Sequence, residues 1–294
     1  MIAPGLLSAR LLLLFTVTIW GWTFVATKVA LDHVSAVQLM GLRFLVAIPV
    51  LVMLMVARGT PIRVERRGRV LLGSLLLGAH FFVQITGLRF TSAVNTGWLI
   101  ATSPLAIAVL AFLVLKEPIG RRTMVGIVVA TAGIVLLVSR GQIERLAGLS
   151  SLGDWLIIVS AHTWALYTIA TRNLSRAGDP LAVTLAILLP VAIVVLAIMG
   201  FSTDWSGLLH LPAEAVVAVL FLGICGTALG QWFWQVGIAK VGAVEAGVFL
   251  YLEPLATTAL AVPYLGEPFG VATICGGLLV LAGVRCAQSL RPSA

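Results

Sequence analysis

Apolar runs separated by short polar linkers fill the chain from end to end. Ten can be drawn, roughly 10–30, 36–57, 69–89, 92–115, 121–139, 153–173, 180–201, 213–236, 243–265 and 269–288. Each is about 18–25 residues, the length that crosses a bilayer as a helix. None alternates strictly between apolar and polar, as the strands of a membrane barrel do. Helices satisfy their own backbone hydrogen bonds, which lipid cannot do for them. The pattern predicts an all-α integral membrane protein with ten transmembrane helices.

The pattern also contains a repeat. Ala93–Gly120 reads AVNTGWLIATSPLAIAVLAFLVLKEPIG, and Ala243–Gly270 reads AVEAGVFLYLEPLATTALAVPYLGEPFG. Pro104 matches Pro254 and Glu117-Pro118 matches Glu267-Pro268, at an ungapped offset of 150. Gly73 and Gly87 pair with Gly223 and Gly237 at the same offset, as do Gly126 and Gly133 with Gly276 and Gly283. The first helix matches the sixth at offset 144: Thr16, Trp20, Thr23 and Thr27 fall on Ser160, Trp164, Tyr167 and Thr171. The second and seventh helices align poorly, and the register change is expected there. Five helices per half is an odd number, so the halves enter the membrane from opposite sides. The expectation is two five-helix inverted repeats, 1–141 and 142–294, around a central cavity.

Composition supports the membrane reading. Apolar residues make up 60% of the 294, charged residues 10%, and mean hydropathy is +1.11; soluble domains carry about a quarter charged residues. The net charge of +8 does not point to nucleic acid, because the basic residues sit between apolar runs and form no stripe with stacking aromatics. They set topology instead. Fourteen of the nineteen Lys and Arg fall on one side of the ten-helix scheme and four on the other, while Arg43 lies within a span. This bias puts both termini in the cytoplasm. Arg10 followed by an apolar run mimics a secretory leader, but the run continues through Trp20 and Trp22 and is expected to be an uncleaved first helix. Cys225, Cys275 and Cys286 form no CxxC pair and indicate neither a disulfide framework nor a metal site. No P-loop, G-x-S-x-G or H-E-x-x-H motif occurs, so no catalytic residue, cofactor or metal is expected.

Candidate chemistry lies inside the spans. Thr16, Trp20, Thr23 and Thr27 share one helix face, as do Ser160, Trp164, Tyr167 and Thr171; such stripes face protein or a water-filled cavity. His80 and Gln84, and Gln231 and Gln235, are i, i+4 pairs that need partners or water. Asn95 and Glu245 correspond across the repeat at opposite membrane faces, and Ser103 and Glu253 correspond about 12 Å deeper. Pro104 and Pro254 each remove a backbone hydrogen bond, free the carbonyls of Ile100 and Leu250, and are candidate hinges. Intramembrane carboxylates are candidates for function, and Glu253 with His80 for coupling. The expected cavity residues are Trp20, His80, Phe81, Gln84, Asn95, Trp98, Trp164, Tyr167, Gln231, Trp234 and Glu245. Arg43 could bind a substrate carboxylate or satisfy backbone carbonyls at helix ends; a structural role is favoured for it, because the second half has no equivalent, and for His162. The glycines of helices five and ten are expected to make packing surfaces, within the scaffold or between two copies in a homodimer.

These features resemble a known family. Trp20-Gly21, Arg43-Phe44, Ser103-Pro104, Lys116-Glu117-Pro118, Leu252-Glu253-Pro254 and Leu265-Gly266-Glu267 look like the EamA repeat of the drug/metabolite transporter superfamily. Size and helix count are similar to its YddG-type amino-acid exporters. The resemblance implies a basket-like bundle in which helices 1–4 and 6–9 line a cavity, and gradient-driven transport without ATP. The function it implies is a secondary transporter in a bacterial-type inner membrane that exports amino acids, aromatic and other neutral ones among them, and related small metabolites. Alternatives are a transporter of drugs or other metabolites, or a membrane scaffold without transport. The expected partners are a small-molecule substrate and the lipid bilayer.

Overall fold

The structure is a computed structural model that describes residues 4–61, 66–116, 120–139, 152–203, 205–266 and 271–287. Glu117-Pro118, Glu267-Pro268, Gly270, several linker arginines and the 141/142 repeat boundary lie outside the described residues. Those described form α1 (Pro4–Leu31), α2 (Ala36–Arg58), α3 (Arg67–Leu88), α4 (Ala93–Ile100), α5 (Ser103–Leu115), α6 (Arg121–Ser139), α7 (Leu152–Ala177), α8 (Pro180–Ser202), α9 (Ala213–Phe221), α10 (Gly230–Val241), α11 (Ala243–Phe249), α12 (Glu253–Leu265) and α13 (Val271–Ala287). A π-helical stretch, Leu222–Leu229, joins α9 to α10, and a 3-10 turn, Leu250–Leu252, joins α11 to α12. No strand occurs among the described residues.

Local chemistry explains where helices begin and end. Ser35 and Gln38 form a reciprocal capping box at the start of α2, and Gly59, at φ 61°, ends it. Ser92 accepts from the Asn95 N–H to cap α4, and Asp179 with Pro180 opens α8. Ser35 and Asp179 are 144 apart, so the register of the first helix pair persists to the start of the second pair. The change to 150 lies beyond that cap.

Seven helical stretches are long and apolar enough to cross a membrane: 5–31, 36–58, 67–88, 93–114, 180–202, 213–241 and 243–265. Among the fully described runs, that of α7 falls short of that measure. The polar side chains of α7 lower its hydropathy, and most of them are buried. The outward faces are oily: Leu45, Met53, Val56, Leu75, Phe112 and Ile193 are exposed, as expected of a multi-pass membrane protein.

The two halves interleave. α3 packs along α7, α1 along α10 and α12, α2 against α8, α5 against α7, and α6 along α13. Each of these pairs joins opposite halves, so neither half closes a core of its own. The glycine seam of α6 and α13 is used within the chain. A Cβ on Gly283 would lie 2.5 Å from the Ala130 nitrogen and 2.6 Å from the Gly126 oxygen, which are backbone atoms that cannot swing aside.

Gly283→Leu is therefore expected to separate α6 from α13 and cost roughly 1–3 kcal/mol, read as a lower thermal-unfolding midpoint in detergent. Gly200→Ala, where a Cβ meets nothing within 4 Å, is the control and is expected to leave the midpoint in place.

Candidate functional site

The two stripes read from the sequence both face inward. Thr16, Trp20, Thr23 and Thr27 on α1 are buried, and so are Ser160, Trp164, Tyr167 and Thr171 on α7. Thr16, Thr23 and Thr171 donate to carbonyls of their own helices, and the Thr171 hydroxyl also accepts from Gln235 of α10. Trp20 and Trp164 meet edge to face, with ring centroids 4.9 Å apart and planes at 88°. Trp234 completes a triad, 5.4 Å from each.

Beside this contact lies a cavity lined by Trp20, Thr23, Phe24, Arg43, His80, Phe81, Gln84, Ile100, Ser103, Trp164, Gln231, Leu250 and Glu253. Four pairs of these are repeat equivalents: Trp20 and Trp164 at offset 144, and Phe81 and Gln231, Ile100 and Leu250, Ser103 and Glu253 at offset 150. The cavity thus sits where the two halves face one another. Its volume is about 30 Å³, room for two or three waters at roughly 10–15 Å³ each. A metabolite needs the walls to move.

Backbone irregularities shape the walls. In an α-helix the Gly230 N–H would bond Gly226; here it reaches Cys225 and Thr227. The Gly226 carbonyl turns to Trp20 instead and accepts from its Nε1 at 2.8 Å. Glycine at 230 permits this, because a Cβ there would lie 2.5 Å from that indole nitrogen. Thr227, in the same π stretch, bonds its own chain at Leu222 and accepts from Arg43 Nε. Such stretches often mark functional positions in helices. Gly21 has a similar use on α1: a Cβ there would meet Ala256 and the Glu253 carbonyl, each at 2.7 Å, so α12 approaches closely enough to bring Glu253 to the cavity.

Helix breaks fall between α4 and α5 and between α11 and α12, with Pro104 and Pro254 in the first turn of the next helix. In the second half the carbonyl expected to be freed is not free: the tightened turn lets the Glu253 N–H reach the Leu250 oxygen. The break puts Glu253 at the helix N-terminus, where the dipole favours a carboxylate.

Of the cavity residues expected from the sequence, Trp20, His80, Phe81, Gln84, Trp164 and Gln231 line this one, together with Glu253. His80 Nδ1 lies 3.0 Å from the Ser160 carbonyl. A carbonyl only accepts, so Nδ1 carries the proton and Nε2 of the neutral ring is an acceptor. Gln84 makes no side-chain hydrogen bond among the described residues. The other expected residues stand elsewhere. Tyr167 is behind the wall, donating to Gln231 Oε1 at 3.2 Å and accepting from Gln235 Nε2 at 2.6 Å, and Gln235 also bonds Ser175. Trp234 is sealed behind Trp20 and Trp164. Trp98 packs with Val248 and Tyr251 near α6. His162, given a structural role from the sequence, bonds its own helix at Ile158.

Asn95 and Glu245 occupy the first turns of α4 and α11, about 7–8 Å along the helix from the lining residues Ile100 and Leu250. Glu245 pairs with Arg10: Nε donates to Oε1 at 2.8 Å, and a terminal nitrogen lies 2.7 Å from the same oxygen. Asn95 Nδ2 donates to Asp154 Oδ1, which also accepts from Thr91 at 2.7 Å. Arg10 falls on Asp154 at offset 144, and Asn95 on Glu245 at offset 150. The two contacts are one contact in repeat terms, made once by an ion pair and once by an amide and a carboxylate.

Sequence reasoning left Phe24, Ile100 and Leu250 out of the lining, and nothing in an apolar residue distinguishes a cavity wall from a lipid face. It gave Arg43 a structural role. The signal available was its position as the lone cation well inside a span.

Comparison with known proteins follows this geometry. The sequence profile of a family described as the EamA-like transporter family matches residues 7–139 and again 151–287. The uncharacterized transporter YyaM of Bacillus subtilis is 29% identical over 92% of this chain and 90% of its own length. A probable amino-acid metabolite efflux pump of Salmonella typhimurium is 25% identical over 93% of this chain and 92% of its own. A solved crystal structure superposes with a TM-score of 0.79 over 97% of this chain and 99% of that one, at 21% identity, a likeness of fold alone.

The indoles of Trp20 and Trp164 are equivalent by repeat but not by bonding: Trp164 Nε1 is buried without an acceptor among the described residues. Trp20→Phe is expected to cost about 1–3 kcal/mol for the lost donor, and Trp164→Phe less. Thermal unfolding of the two variants in the same detergent checks the order.

Proposed function

The chain belongs to the EamA-like transporter family, and on that premise we propose that it is a secondary transporter that exports amino acids and related small metabolites across a bacterial-type inner membrane. The observation that carries the reading is the cavity between the halves, polar and aromatic at once, with repeat-equivalent residues on its walls. A site that alternates between two faces of a membrane needs two routes, and inverted repeats supply both from one architecture. The name of the Salmonella relative supports amino-acid metabolites as cargo and export as the direction.

In this reading all ten apolar runs span the membrane, the repeats are inverted, and both termini are cytoplasmic. Arg10–Glu245 then latches the cytoplasmic end and Asn95–Asp154 the opposite end. Both latches are closed in the structure, in keeping with a cavity too small for cargo. Opening one latch while holding the other lets α4 or α11 swing about the breaks before Pro104 or Pro254. Glu253 and His80 are the groups to which we assign coupling to a proton gradient.

Three measurements test this. Proteoliposomes loaded with labelled neutral amino acids are expected to release them faster than empty vesicles; no flux for any amino acid sinks the cargo assignment. Glu253→Gln is expected to abolish the response of flux to an imposed pH gradient, and a response that survives removes Glu253 from coupling. Glu245→Gln loosens the cytoplasmic latch by about 0.2–1 kcal/mol. In a chain whose native cysteines are replaced by serine, it is expected to speed cytoplasmic-side maleimide labelling of Leu250→Cys, by up to about fivefold.

A further inference from the structure

A guanidinium and a carboxyl group face the cavity without meeting each other. Arg43 and Glu253 both line it, both are buried, and no ion pair joins them among the described residues. Buried ionisable groups ordinarily find a counter-ion or neutralise, so a cavity that keeps a guanidinium and a carboxyl group without partners among the described residues is prepared for something that brings both complements.

The geometry around Arg43 fixes the group and leaves its end open. Nε is held by Thr227 Oγ1, and the guanidinium carbon lies 4.6 Å over the Phe81 ring. Its terminal nitrogens make no hydrogen bond among the described residues, yet they are not among the sealed, partnerless atoms, so they open on the cavity. A planar fork with two outward N–H groups matches a carboxylate. The Glu253 carboxylate likewise has no side-chain partner among the described residues, and the break between α11 and α12 places it at the head of α12. It accepts only, and an ammonium group donates only.

We infer that Arg43 and Glu253 form a zwitterion clamp, Arg43 taking the α-carboxylate and Glu253 the α-ammonium of one amino acid, with the side chain left to the aromatic wall of Trp20 and Trp164. The inference rests on the reading of this cavity as the transport site, and it narrows the cargo to zwitterions. An anion brings repulsion from Glu253 and leaves it unpaired, and a cation does the same at Arg43. Ligands carrying only one of the two charges are therefore rejected by the other end of the clamp.

The test is equilibrium binding to the purified full chain, using L-phenylalanine, L-leucine and L-threonine, each beside its methyl ester, which keeps only the ammonium, and its N-acetyl derivative, which keeps only the carboxylate. The wild type is expected to bind each amino acid about tenfold or more tightly than either derivative. Arg43→Gln should erase the preference over the ester and keep that over the N-acetyl form; Glu253→Gln should do the reverse. If Arg43→Gln does not fold, Arg43→Lys is expected to retain the preference over the ester, and the wild-type panel decides alone. Equal binding of all three forms, or no binding of any, overturns the clamp, as do variants that weaken all three ligands alike. Amino-acid flux without the zwitterion preference overturns the clamp and leaves the transporter reading standing. The preference without flux upholds the clamp and removes the transport reading.

Discussion

The contact between Trp20 and Trp164 constrains everything around it. These residues are equivalents in the two repeats, and a residue touches its own equivalent only near the axis that relates the two copies, as in a symmetric dimer. Their edge-to-face contact therefore marks the centre of the molecule. Around it, α1 and α7 meet through these two side chains, the cavity opens beside it, and repeat-equivalent residues stand on its walls. The α6–α13 seam, where Gly283 lies on Gly126 and Ala130, is a second self-matching contact at the periphery.

Symmetry sets the frame, and departures from it supply the chemistry. In the second half a π stretch redirects one carbonyl to Trp20 and one hydroxyl to Arg43; the corresponding part of α3 is regular helix. Ser103 bonds the Ala161 carbonyl and is satisfied, whereas its equivalent Glu253 has no side-chain partner among the described residues. Inside a membrane such a difference is expensive, because lipid compensates nothing.

Much of this was legible in the sequence. The length and apolarity of the runs located the helices, the constant offset located the paired breaks, and the spacing of Trp20, His80, Gln84 and Gln231 put them on inward faces. The reasons are periodic: a bilayer fixes length, and a helix fixes which residues share a side. What was not legible depends on which element packs against which. Asn95 and Glu245 were correctly paired by repeat, but their partners Asp154 and Arg10 emerge only when α4 meets α7 and α11 meets α1. Trp98 and Trp234 had the same residue type as Trp20, and only packing separates a lining tryptophan from a buried one. Arg43 looked structural because the second half has no equivalent cation, and the hydroxyl that holds it, Thr227, sits 184 residues away.

That separation has a consequence for how the protein is made. Trp20 finds its carbonyl 206 residues later in the chain and Arg43 its hydroxyl 184 residues later. At the roughly 5–20 residues per second of synthesis, Trp20 and Arg43 wait on the order of 10–40 s in the bilayer before these partners arrive. During that interval a guanidinium and an indole are inside the membrane without the groups that will hold them. Interleaved repeats thus make the nascent first half a guest of water defects, neighbouring lipid headgroups or the insertion machinery until the second half is threaded in.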